Sequence, residues 1–269
     1  MKYYFLLFLG LLLTTSVLAQ DVAISYESID NTVYVYGSNP HPCPVSVQLT
    51  LKLTNMTADS QPPDRTYVLP ASTSKSLLTT LEPKDIRRSS QYHIDYFAKY
   101  GDVTLTSYDS EHVYQLPYKA GKTVAMHQGY NGKRSHRGVN ALDFALDKGE
   151  QIHAARGGVV IDVEERNSKG CSQPSCHKYN NTIVIYHSDG TLAVYSHLQQ
   201  YGSRVDPGDT VVAGQHIGYA GATGYATGPH LHFMVLQSTF DGNTTIKTTF
   251  DTKEGSPIYL QEHQKYTRP

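Results

Sequence analysis

GPHLHFMV, Gly228 to Val235, sets the character of the second half of the chain. In an extended strand alternate side chains share a face and each residue rises about 3.3 Å. His230 and His232 then stand side by side at roughly 6.6 Å, while Leu231, Phe233 and Val235 face the other way. An apolar strand with two imidazoles on one surface raises the question of what those imidazoles hold. The surrounding sequence is of the same kind. QIHAARGGVVIDVEERN predicts two strands about Gly157 and Gly158, and TIVIYHSDGTLAVYSHL predicts a hairpin turned by SDG. VDPGDTVVAGQHIGYAGATGYATGPHLHFMV reads as short strands broken by Pro207 and by repeated glycines. No stretch of ten or more residues here has the periodicity of a helix.

Upstream, from Gln20 to about Tyr114, β-rich runs (TVYVYG, VSVQLTLKL, YHIDYFAKYG) alternate with turn clusters (GSNPHPCP, DSQPPDR). That pattern predicts a small immunoglobulin-like β-sandwich. QLPYKAGK, residues 115–122, carries a Pro and a Gly and is the expected boundary. Ahead of the sandwich, MKYYFLLFLGLLLTTSVLAQ places Lys2 before an apolar run from Phe5 to Leu13 and ends in small and polar residues, the order of a secretory signal peptide. The run is short for a bilayer span, and no cysteine at the cleavage site offers a lipid anchor. The expected organisation is a signal peptide at 1–19, an accessory sandwich at 20–115, a second all-β domain at 122–250 and a tail at 251–269, in an exported protein without a membrane anchor.

Removal of Lys2 from the 23 basic residues leaves 22 against 24 acidic ones, with no basic stripe. The electrostatic footprint of a nucleic-acid binder is absent. An oxidising compartment favours paired cysteines. Cys171 and Cys176, in CSQPSC around Pro174, are spaced to close a short ring, which leaves Cys43 over. His177 follows Cys176 directly, but four residues between the cysteines do not match a c-type haem attachment, which has two.

Of thirteen histidines, His41, His93, His112, His153, His177, His187, His216 and His263 read by default as surface or core-edge residues. The segments SHRGVNALDFAL, YSHL and GPHLHF differ, because there His or Asp sits beside glycine or inside apolar strand sequence. A catalytic zinc takes three protein ligands and keeps a fourth position open. His136, Asp143 and one histidine of the pair would supply two imidazoles and a carboxylate. Seven residues separate His136 from Asp143, an odd spacing that on one straight strand would turn them to opposite faces, so His136 is expected on a loop beside Gly138. Asp143 enters the apolar run LDFAL, where a carboxylate is costly unless paired, and a metal is one such partner.

Taken together, SHRGVNALDFALDKGEQIHAARGGVV, YSHL and VDPGDTVVAGQHIGYAGATGYATGPHLHF resemble the lysostaphin-like zinc metallopeptidases, with several motifs in that family's order over roughly Met126 to Val235. The resemblance implies a lysostaphin-like antiparallel β catalytic domain with a groove over one Zn2+ per chain. It also implies hydrolysis of peptide crosslinks in peptidoglycan, whose stem peptides would be the partner. Carried over residue by residue, it implies metal ligands at His136, Asp143 and His232, with His197 and His230 flanking the metal as catalytic groups. Asn140 stands where the shortest form of the family motif has its aspartate, and the apolar setting of LDFAL favours Asp143 instead. Some members of the family lack ligands and act as catalytically silent regulators of other wall hydrolases, which is the alternative reading. The near-neutral charge, the absence of an anchor and the short tail point to a periplasmic enzyme cutting D-alanyl to diamino-acid crosslinks, with an extracellular location and glycine-rich bridges as the other possibility.

Overall fold

The computed structural model describes residues 21–59 and 66–269. The expected signal peptide and most of the DSQPPDR turn lie outside the described residues. The fold is all-β, as the sequence predicts. The one helix among the described residues is a 3-10 turn, Pro174–Tyr179.

Seven strands form the N-terminal half: β1 (Ala23–Ile29), β2 (Thr32–Asn39), β3 (Val45–Thr54), β4 (Met56–Ala58), β5 (Thr66–Leu69), β6 (Thr73–Pro83) and β7 (Gln91–Tyr100). They make two sheets, β1-β2-β6-β4 and β5-β3-β7. Alternation along β2 turns Val33 and Val35 inward and leaves Tyr34 and Tyr36 half-exposed. The inward residues share one buried cluster with Val45, Val47 and Leu49 of β3 and Leu69 of β5.

The second half continues with β8 (Val113–Gln115), β9 (Thr123–Gln128), β10 (Ala141–Phe144), β11 (Gln151–His153), β12 (Gly158–Glu164), β13 (Gly170–Cys171), β14 (Thr182–Tyr186) and β15 (Leu192–Ser196). It then runs through β16 (Leu198–Ser203), β17 (Thr210–Val211), β18 (His216–Ala220), β19 (Gly224–Tyr225), β20 (Leu231–Thr239), β21 (Gly242–Ile246), β22 (Thr249–Thr252), β23 (Gly255–Ile258) and β24 (Lys265–Thr267). The main sheet runs β17-β12-β14-β15-β20-β10-β9-β24, with β21 also paired to β20. Its strands are apolar on both sides, as expected of a sheet covered on both faces. One face, with Leu142, Phe144, Ile183, Ile185, Ala193, Tyr195, Phe233 and Val235, packs on Ile152, Leu198, Ile217 and Ala220 from the small sheet β11-β18-β16. Phe233 sits at 5.1 Å from the Tyr195 ring and 6.1 Å from Phe250. Its truncation to Ala should cost about 3–5 kcal/mol.

The opposite face is divided. Toward its far end Ile161, Val184, Leu192, Val194 and Leu236 join the sandwich core in one continuous cluster. Lys99 of β7, almost fully buried, donates to the backbone carbonyls of Thr239 and Gly242 and ties the sandwich to the turn after β20. The near end of that face is open and carries His232, Asp143 and Ser196.

Two expectations of organisation differ from the structure. The segment 115–122 is built into the second core rather than linking two bodies: β8 pairs in parallel with β22, and Leu116 and Tyr118 are fully buried. The residues read as a tail at 251–269 complete the main sheet, with β24 paired to β9 and Leu260 and Tyr266 in the core. Proline, glycine and a polar composition mark turns, but they do not reveal a pairing made with a strand more than a hundred residues away.

Candidate metal centre and groove

β10 and β20 are adjacent and antiparallel, in a register that sets Asp143 directly across from His232. Side chains opposite each other in such a pair lie about 4.5–5.5 Å apart at Cβ, so the carboxylate and the imidazole meet as a consequence of register alone. His136 comes from the loop between β9 and β10, as expected, and Gly138 beside it adopts a φ of +72° that suits glycine. His136 is held by its own backbone N–H on the Gly132 carbonyl and by its ring Nδ1 on the Gly129 carbonyl at 3.0 Å. That tautomer leaves Nε2 facing the other two groups.

Three atoms converge. Asp143 Oδ1 lies 2.9 Å from His232 Nδ1 and 3.3 Å from His136 Nε2, and the two nitrogens are 3.2 Å apart. Ligands about 2.0–2.1 Å from a tetrahedral zinc are separated by roughly 3.3 Å, so this donor set fits that ion in chemistry and in spacing. Among the described residues it is the one group of three such side chains close enough to hold a metal. Burial disfavours charge on Asp143, yet hydrogen bonds from His136 and His232 hold its pKa well below the usual carboxylate range. Burial also opposes charge on His136, but the Asp143 carboxylate outweighs it and raises its pKa, whereas burial dominates for His232 and lowers it. The carboxylate thus draws positive charge toward the two imidazoles, a place that a divalent cation would take. Asn140, the alternative considered for Asp143, is turned away: its amide donates to the Thr245 carbonyl.

His197 and His230 stand on the same side. Their rings are 4.6 Å apart, His197 is 5.7 Å from the His232 ring, and His230 Nε2 lies 3.8 Å from Asp143 Oδ1. His197 follows β15 with a φ of +65°, a conformation that a histidine adopts only when its surroundings hold it. The restraint is visible. Its backbone N–H donates to Asn180 Oδ1 at 2.9 Å, and its ring Nδ1 is bound to the Thr223 carbonyl at 2.7 Å. Burial, reinforced by His230 and His232, pushes the His197 pKa down to about 3, so the ring is neutral at pH 7 with Nε2 free. His230 Nδ1 is likewise bound to a carbonyl, that of Gly228 at 2.9 Å.

The cluster lies in a groove of about 890 Å³. Sequence reasoning overlooked several of its residues. Gln128 donates through Nε2 to Asp143 Oδ2 at 3.2 Å, and its Oε1 accepts the backbone N–H groups of Arg134 and Ser135. His127 lines the groove, and so does His177, half-exposed in keeping with a core-edge residue. Its position does follow from the Cys171–Cys176 disulfide, which is present as expected. That ring closes the loop leading into the 3-10 turn, and β13 pairs with β19, which brings His177 to 4.9 Å from the Tyr225 ring. Cys43 is buried in the sandwich with its thiol pKa pushed up to about 12, which leaves it inert.

Residues 134–245 match the family model described as peptidase family M23. That segment is similar to peptidase family M23. All five residues just described fall inside the matched segment. The chain is 36% identical over 117 residues to a glycyl-glycine endopeptidase of Staphylococcus capitis, an alignment covering 43% of this chain and 28% of that protein. It is 39% identical over 114 residues to a peptidoglycan DD-endopeptidase of Vibrio cholerae, covering 40% and 24%. This chain therefore spans only about a quarter of the length of these relatives. Among solved structures, the catalytic domain of lysostaphin from Staphylococcus simulans is similar at 28% identity with a TM-score of 0.34, over 46% of this chain and 87% of that one.

Proposed function

We propose that the M23 domain is a zinc-dependent endopeptidase that hydrolyses peptide crosslinks of peptidoglycan, with His136, Asp143 and His232 as ligands of one Zn2+ per chain. The observation that carries this reading is the convergence of those three side chains at 2.9–3.3 Å on the floor of a groove within the M23 segment. The M23 relatives are peptidoglycan or glycyl-glycine endopeptidases by name, which supports the substrate class. A bound zinc supplies a Lewis acid for the scissile carbonyl and lowers the pKa of a coordinated water to about 7.

The chain's own residues do the rest. His197, neutral and with Nδ1 committed to Thr223, offers Nε2 as a proton acceptor, and the neighbouring His230, its Nδ1 committed to Gly228, offers a second Nε2. One takes the proton from the attacking water, and an imidazolium so formed donates a proton to the leaving amine. Gln128 orients the Asp143 carboxylate through its second oxygen, as partners of metal-ligating groups commonly do. Retention of all five residues argues against a catalytically silent regulator. The mature chain, in our reading, is exported and periplasmic and acts on D-alanyl to diamino-acid bonds.

Digestion of purified sacculi by the zinc-loaded protein, with mass analysis of the fragments, tests the activity. Release of uncrosslinked stem peptides, abolished by a chelator and restored by zinc, is expected. Stimulation of another wall hydrolase without any such release would instead identify a regulator. Side-by-side digestion of diaminopimelate-crosslinked and pentaglycine-bridged walls decides the bond.

A further inference from the structure

The loop that delivers His136 also delivers Arg134 and Arg137 to the wall of the groove. Both side chains are exposed, and the backbone that carries Arg134 is tied to the candidate metal ligands. The Arg134 backbone N–H donates to Gln128 Oε1 at 3.0 Å, and that same carboxamide reaches Asp143. Arg137 Nε donates to the Lys133 carbonyl at 3.1 Å, which leaves its two terminal nitrogens for another acceptor. Among the described residues neither guanidinium has a carboxylate within ion-pairing distance. Asp143 is the one carboxylate that lines the groove, and it is committed to His136 and His232. Arg156 and Arg166, by contrast, each have a carboxylate at 2.8 Å.

The chain carries a formal charge of −1, yet the groove is lined by two exposed permanent cations without a carboxylate partner, beside a site that would itself be cationic with a metal bound. A low-dielectric groove with charge of one sign concentrates ligands of the other sign. Guanidinium presents a planar fork matched to a carboxylate. We propose that Arg134 and Arg137 read a free carboxylate on the substrate near the scissile bond, so that the domain selects anionic, diamino-acid stem peptides over uncharged glycine-rich bridges. The inference rests on the peptidase reading and names the part of the substrate that decides specificity. Diaminopimelate crosslinked through one amine keeps a carboxylate on the carbon that bears that amine, beside the bond to be cut, whereas the interior of a glycine bridge has none.

The test uses two crosslinked peptides identical except that the diamino-acid carboxylate is free in one and a carboxamide in the other. Their kcat/KM values are compared for the wild-type protein and for R134Q/R137Q. In parallel, the uncrosslinked acid and amide stem fragments are titrated calorimetrically against both proteins at low and high salt. The wild-type protein should prefer the acid about tenfold, and the preference should fall toward unity in the double variant and with added salt. Equal handling of acid and amide by the wild type would overturn the proposal, as would a preference that survives in R134Q/R137Q, which would mean that the metal alone reads the carboxylate. Turnover and binding fail separately. Cleavage of neither peptide would reject the peptidase reading, and the acid-to-amide binding ratio would still decide for or against the arginines.

Discussion

Two aspartates of the second half have equally small side-chain exposure and opposite ways of meeting it. The Asp143 and Asp189 side chains are each 12% exposed. Asp189 is met by a permanent cation, Arg156 Nη1 at 2.8 Å, and by the Thr191 hydroxyl and backbone N–H. Burial works against its charge, yet the Thr191 and Arg156 contacts bring its pKa down to about 2. Asp143 has only imidazoles and a carboxamide around it. A buried carboxylate with an arginine has a permanent cation, whereas one set among imidazoles on the floor of a groove has none. The difference separates a structural ion pair from a candidate metal centre, which counting histidines does not, since His187 lies buried near Arg156 and Asp189 in no such cluster.

The contrast can be broken most severely at the proposed ligands. His136→Ala, Asp143→Ala and His232→Ala should each lose the zinc, about one per chain in the parent, and turnover should fall to background. Full metal content in all three by elemental analysis would remove the distinction between the two aspartates. Next in size, His197→Ala and His230→Ala should keep the metal and lose about 10²–10⁴-fold in kcat. Unchanged rates in either variant would take that residue out of the chemistry.

A smaller effect is expected at Asn180, whose side chain holds the strained His197 backbone. Asn180→Ala should lower kcat by about 10- to 100-fold with zinc content and KM little changed, because a slight misplacement of a reacting group is enough to do so. Asn180→Asp retains the acceptor oxygen and should recover part of the rate. A KM effect alone would count against positioning.

At Asp189 the two readouts part. Asp189→Asn should leave zinc binding intact but cost about 3 kcal/mol of stability in denaturant unfolding, because Arg156 loses its partner. The folded-state pKa of Asp189 is depressed from the ordinary 3.8 to about 2. Its contribution is therefore complete above about pH 4 and is lost as pH falls toward 2. The buried His187, with a folded pKa lowered from 6.5 to about 4, adds a loss that begins earlier, as pH falls from 6.5 toward 4. Unfolding midpoints flat across pH 6.5 to 4 would contradict the His187 assignment.

Much of the site is legible in the chain before any fold is known. Imidazoles or carboxylates inside apolar strand sequence, as in LDFAL and GPHLHF, are local anomalies whose desolvation cost announces a partner, and that cost depends on composition alone. The same holds for the all-β class, since strand periodicity and turn residues are local, and for the Cys171–Cys176 ring, which spans five residues. What the tertiary structure alone decided has a common physical origin in strand register between distant segments. Asp143 meets His232 across 89 residues because β10 pairs with β20, and Asn180 restrains His197 through a hydrogen bond over a span of 17. The last strand closes the main sheet against β9, and the sandwich shares the face of the groove because Leu192, Val194 and Leu236 continue its core. Two opposite charges or two apolar faces can be recognised in a sequence, but which of them come within 3 Å is a property of backbone hydrogen bonding between strands, and no local pattern records it.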